Sequence, residues 1–174
     1  MHAAITAVGN DRPGIVAAIS NVLFEAGGNI EDSRMAILGG HFAVVLIVAL
    51  ERGDLDSLER RLQEATAGMD LTIAVRPVAE VTTDAGDGPA LIVRVYGADR
   101  PGIVARVSSL LARHRVNIRD LATHVTGGDP PVYVMLIEGT SESTDVRALE
   151  GELAALAAEL GVEVSTDTVD PETL

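Results

Sequence analysis

Seven residues occur twice in this chain: Asp11-Arg12-Pro13-Gly14-Ile15-Val16-Ala17 returns as Asp99-Arg100-Pro101-Gly102-Ile103-Val104-Ala105. Each copy reads as a tight turn opening a helix. Backbone N–H groups at a helix N-terminus point outward from the positive end of the dipole and suit a carboxylate. Gly14 and Gly102 have no side chain to obstruct a ligand approaching those amides, and Asp11 and Asp99 offer acceptors for an ammonium group. Farther along, Asn29-Ile30 and Asn117-Ile118 recur at the same offset, and Asn supplies both donor and acceptor. A free α-amino acid carries one carboxylate and one ammonium, which this set matches. A purely structural reading stands beside it: Asp11 as N-cap, Pro13 in the first helical turn, Asn29 as a turn residue after Gly27-Gly28. Both copies keep the turn and the distant Asn-Ile while neighbours diverge (Ala26 against His114, Gly28 against Val116), which favours function.

Other chemistries find no support. His2, His41, His114 and His124 are scattered, without metal-ligand spacing, and no Walker A, nucleophile elbow or Rossmann fingerprint occurs. The absence of cysteine removes disulfides, thiolate nucleophiles and cysteine-ligated zinc. No catalytic residue, metal or cofactor is therefore expected. The formal net charge is −13, and all 13 basic residues are arginine, so the chain as a whole repels phosphate backbones and direct nucleic-acid binding is not expected. Arg100, Arg106, Arg113, Arg115 and Arg119 crowd around one predicted helix and read as surface charges balancing the acidic remainder, ahead of a nucleic-acid patch, with docking of an acidic protein partner a third reading. The longest apolar run, Phe42 to Leu50, is too short to span a bilayer, and Met1-His2-Ala3-Ala4 has no basic n-region. These features predict a cytoplasmic protein without membrane contact.

A self-similarity at half the chain length means one domain built twice. The patterns predict strand Ala3 to Val8, a helix from the Asp-Arg-Pro-Gly with Ile15, Val16, Ile19, Val22, Leu23 and Ala26 on its buried face, and a strand from Asn29 to Leu38. The apolar parity of that strand switches, predicting a β-bulge near Asp32 or Ser33. Gly39-Gly40 turns into strand Phe42 to Leu50, followed by a helix on Leu55, Leu58, Leu62 and Ala65 and a strand Leu71 to Val78. The second half repeats the order, with Gly127-Gly128 as its hairpin turn. The fold expected is α+β: two tandem ferredoxin-like βαββαβ modules, residues 1–79 and 90–170 joined by a linker 80–89, each an antiparallel sheet with both helices on one face. Strand Phe42 to Leu50 is apolar on both faces, so another module or another copy is expected to cover its back.

The element order, the duplicated Asp-Arg-Pro-Gly-Ile-Val-Ala and the Asn-Ile together resemble the ACT domain, a small-molecule-sensing module of amino-acid metabolism. More narrowly, Gly28-Asn29-Ile30-Glu31-Asp32-Ser33-Arg34-Met35-Ala36-Ile37-Leu38-Gly39 resembles the glycine cleavage system transcriptional repressor family, likewise two tandem ACT modules. The resemblance implies a ligand held between two modules by the strand–helix turn of one and the Asn of the next. It carries over to Asn10, Asp11, Gly14, Ile15 and Asn29, and to Asp99, Gly102, Ile103 and Asn117. It further implies a non-enzymatic regulator binding a small amino acid of the glycine or serine class, acting on a protein partner such as a transcription regulator, and forming a homodimer. The alternative is a ligand-free regulatory subunit of a metabolic enzyme. An acylphosphatase-like hydrolase on the same plait would need Arg12 and Asn29 to converge on a phosphate.

Overall fold

The strand–helix–strand patterning of each half becomes, in a computed structural model describing residues 1–51, 53–79, 90–141 and 145–169, the same six elements in the same order. Module 1 comprises β1 (His2–Asn10), α1 (Ile15–Glu25), β2 (Gly28–Leu38), β3 (His41–Leu50), α2 (Leu55–Ala65) and β4 (Leu71–Val78). Module 2 comprises β5 (Ala90–Gly97), α3 (Ile103–Arg113), β6 (Asn117–Val125), β7 (Tyr133–Thr140), α4 (Val146–Leu160) and β8 (Val162–Val169). Each sheet is antiparallel, with strand orders β2-β3-β1-β4 and β6-β7-β5-β8. This is the ferredoxin-like plait, twice. The chain divides into two compact units, Met1–Thr83 and Asp84–Leu174, and the expected linker 80–89 lies outside the described residues.

In module 1, alternate residues of β1 (Ala3, Ile5, Ala7) pack with Ile15, Ile19 and Leu23 of α1 and Leu58 and Leu62 of α2. In module 2, Val93 and Val95 of β5 pack with Val107 and Leu111 of α3 and Leu149 and Leu153 of α4. The helices thus cover one sheet face, and the cores are aliphatic because the sequence is nearly free of aromatics. Val16 departs from its expected place on the buried face of α1 and is 55% exposed. It lies about 100° round the helix from Ile15, just past the edge of the packed stripe.

The bulge in β2 falls one residue earlier than expected. The register with β3 shifts between Ile30 and Asp32, leaving Glu31 as the extra residue, and β6 does the same at Arg119 between Ile118 and Asp120. The extra residue lets Ile30 (opposite Val48) and then Ser33, Met35 and Ile37 (opposite Leu46, Val44 and Phe42) share the core side of the strand. Met35 and Ile37 nevertheless remain 52% exposed, for β2 is an edge strand.

The two hairpin turns differ. Gly39 and Gly40 have φ of 58° and 81°, the positive pair that a two-residue type I′ turn requires. The expected Gly127-Gly128 turn is instead a longer loop, closed where Thr126 N donates to the carbonyl of Val132 at 2.8 Å. The prolines at 130 and 131 cannot donate to the strand ladder, which delays β7 to Tyr133. Gly40→Val should therefore lower stability by roughly 1–2 kcal/mol through left-handed strain alone. Gly128→Val, at a position without positive φ, should cost much less, and urea midpoints of the two variants compare them directly.

Candidate functional site

At the end of β1, Asp11 N donates to the Gly40 carbonyl at 3.0 Å, so the ladder runs one residue beyond Asn10. The chain then turns through Pro13 and Gly14, and α1 begins at Ile15. The N-cap is Gly14, at φ 95°, with no side-chain cap; in module 2 it is Gly102, at φ 93°, again with none. This corrects the reading of Asp11 as N-cap and of Pro13 as a helical residue. The left-handed glycine redirects the chain, and the helix starts only after it.

The second helix of each module behaves differently. The Asp54 side chain accepts from Asp56 N at 3.1 Å, and that of Asp145 accepts from Arg147 N at 3.1 Å and Ala148 N at 3.2 Å. Both α2 and α4 therefore satisfy first-turn amides from within, whereas α1 and α3 leave theirs without a side-chain partner. The approach is also clear: a Cβ built on Gly14 or Gly102 meets nothing within 4 Å. Ile15 and Ile103 follow with side chains buried in the core, so only their backbone amides face the turn. Asp11 and Asp99 are exposed beside these helix starts.

The arginine of the repeated turn has a role that the sequence reading did not assign. Arg12 donates to the Gly68 carbonyl at 2.7 Å, and Arg100 to the Leu160 carbonyl at 3.2 Å. Each guanidinium thus holds the turn against the C-terminal end of the second helix, where the dipole favours a cation. Its identity in both copies was the available signal. Asn10 donates its side-chain amide to Asp70 at 3.0 Å, a contact that Ala98 cannot reproduce in module 2. Tyr133 of module 2 holds the place that Phe42 has in module 1, opposite the glycine near the end of the first strand. Burial, and then the nearby carboxylate of Asp99, push its hydroxyl above the ordinary phenol value.

Asn29 and Asn117 are exposed at the far end of each module. Asn10 lies opposite His41 whereas Asn29 lies opposite Ala49. At about 3.4 Å per residue along β3, the turn and the asparagine of one module stand roughly 27 Å apart. No single module brings them together. The same separation removes the acylphosphatase reading, because Arg12 is at the turn end and Asn29 is not. Most of the arginines grouped near α3 pair locally. Arg106 meets Glu159, Arg113 meets Glu152 at 3.2 Å, and His114 reaches Glu152 at 3.2 Å. Hydrogen bonds from Arg113 and then His114 hold the Glu152 carboxyl below the usual range. Among the described residues no group of His, Asp and Glu could hold a metal ion, and no helix is long and apolar enough to cross a membrane.

Comparison with known proteins agrees with this architecture. The ACT domain model matches residues 2–76 and again 90–167. The chain is 29% identical to the glycine cleavage system transcriptional repressor of Escherichia coli strain K12, over 95% of this chain and 89% of that one. It is 45% identical to a UPF0237 protein of Methanopyrus kandleri over 42% of this chain and 80% of the other. Among solved structures, a protein of unknown function from Galdieria sulphuraria superposes with a TM-score of 0.82 at 28% identity, covering 97% of this chain and 98% of its own.

Two outcomes follow from the turn geometry. Gly14→Ala should cost about 1–2 kcal/mol by backbone strain, with no steric component, and Gly14→Asn less, because Asn tolerates the left-handed region; denaturant melts separate the two. Raising the Tyr133 hydroxyl means that the fold retains the proton more tightly than the unfolded chain. That stability is present below the ordinary phenol value of 10.0 and is lost as pH rises through the folded value. Unfolding free energy should therefore fall more steeply above that pH in the wild type than in Tyr133→Phe, as measured by denaturant titration across the alkaline range.

Proposed function

The chain belongs to the ACT domain family, and from that premise we propose that it is a non-enzymatic regulator that senses a small amino acid of the glycine or serine class. The reading is carried by one observation: α1 and α3 start at left-handed glycines in open space with no side-chain cap, while α2 and α4 are capped by their own aspartates. In this reading the ligand carboxylate accepts from the first-turn amides behind Gly14 or Gly102, and Asp11 or Asp99 takes the ammonium. Asn29 or Asn117 of an adjoining module completes the site, since the two ends of one module are too far apart to share a ligand. Modules that adjoin along β2 or β6 would also cover the half-exposed Val16, Met35 and Ile37. Binding then changes how modules pair, and with it the affinity for a protein partner. The similarity to a glycine cleavage system transcriptional repressor supports a partner in transcription control, and a homodimer is the assembly proposed.

Isothermal titration of the full chain with a panel of amino acids tests the reading. Glycine or serine should give a saturable signal, reduced roughly tenfold by Asn29→Ala or Asn117→Ala through loss of one hydrogen-bonding partner. Silence across the panel, with the fold intact by circular dichroism, would overturn the sensor reading.

A further inference from the structure

The outer groove between α3 and α4 carries its charges in two rows. Arg106 and Arg113 stand about two turns apart on α3, and Glu152 and Glu159 about two turns apart on α4. Because the helices run antiparallel, the rows meet rung by rung, Arg106 with Glu159 and Arg113 with Glu152. Between the rungs the walls are the small side chains Ala105, Ser109 and Ala155, and Leu110 and Leu156 form the floor of an open groove of about 390 Å³. The matching layer of module 1 lacks this pattern. There Arg61 pairs with Glu25, but α1 contains no arginine, and Ala18 and Glu25 stand where α3 has Arg106 and Arg113.

We propose that this groove is a self-association surface whose occupant is the same face of a second copy of the chain. A row of cations beside a row of anions is self-complementary under one symmetry. A two-fold axis parallel to the helices, running above the groove, sets α3 of each copy over α4 of the other and keeps every rung at its own height. Each arginine then lies over a glutamate of the second copy while retaining its own. The small walls let the helix ridges approach. A two-fold axis across the helices would instead set cations over cations. Charge complementarity therefore selects both the occupant and its orientation. The rungs are half exposed, with side-chain exposures of 47% and 62% for Arg106 and Glu159, so the association is salt-sensitive.

The test uses the full chain and two charge-reversed forms, one with Arg106→Glu and Arg113→Glu, the other with Glu152→Arg and Glu159→Arg. In low salt, sedimentation equilibrium should show association of the wild type, weakened by roughly tenfold or more in either variant alone. An equimolar mixture of the variants should regain it, because each all-acidic layer then faces an all-basic one. Ala155→Arg, which keeps all four charges and fills the groove, should weaken association to the same extent. Equal association in the wild type, both variants and the mixture, or a mixture no heavier than its components, overturns the proposal. A contact along β2 or β6 contributes equally to every sample, so this outcome leaves the amino-acid-sensing reading untouched.

Discussion

A helix begins with amides that its own backbone cannot satisfy, and how each of the four helices resolves that shortage organises the molecule. Where the chain enters α2 and α4 it supplies an aspartate, and those ends are closed. Where it enters α1 and α3 it supplies a glycine at φ above 90°, with no side-chain cap and with open space where a Cβ would stand. The cost of leaving a helix start open is offset nearby. Arg12 and Arg100 reach from the open turn to the carboxyl-terminal end of the companion helix, so each turn is held in place by the element that is closed. The turn is thereby pinned while the helix start keeps no side-chain cap.

The βαβ connection sets the second constraint. Because β2 runs parallel to β1, the residue heading β2 must lie at the opposite end of the sheet from the turn that opens α1. A constellation that includes both Gly14 and Asn29 thus cannot close within one module, whatever the side chains do. The same edge carries backbone groups and apolar side chains that a solitary module leaves to solvent, Met35 and Ile37 among them. Long, apolar edge strands invite pairing with another chain unless something blocks them. β4 carries Pro77, which blunts its edge; in β2 the charged Glu31, Asp32 and Arg34 and the bulge protect the first half and leave Met35 to Leu38 as its apolar stretch.

Much of this was legible in the sequence, and the reasons for the rest are local. Element order and strand parity came from periodicity, because each face of each element is uniformly apolar or polar for most of its length. The parity switch in β2 identified the bulge to within a residue; Glu31 rather than Asp32 is extra because Ile30 keeps its place opposite Val48. The start of α1 was misplaced because Asp-x-Pro-Gly carries two competing signals. Asp and Pro favour a helix start, but a glycine that must adopt positive φ delays it past both. The Gly127-Gly128 turn was misread for the opposite reason: its glycines look like those at 39 and 40, but the two prolines that follow cannot join the ladder. The repeat marked Arg12 and Arg100 but could not name their acceptors, which lie more than 50 residues away along the chain.

The comparison between the two copies sharpens what the duplication has retained. Both keep the left-handed glycine, the buried isoleucine behind it, the arginine that pins the turn and the asparagine at the head of the edge strand. The walls differ. In module 1 Asn10 is held by Asp70 and the hairpin beside the turn is the tight Gly39-Gly40. In module 2 alanine replaces Asn10, tyrosine at 133 replaces Phe42, and a longer loop closes at Thr126. The turn, its buried isoleucine, its pinning arginine and the distant asparagine have been preserved, while the residues flanking the turn have drifted. Each turn therefore keeps an uncapped helix start and an exposed aspartate beside it. If the turns serve the sensing role proposed above, a ligand's side chain would meet different surroundings in the two modules, and the two turns would then differ in which amino acid they favour.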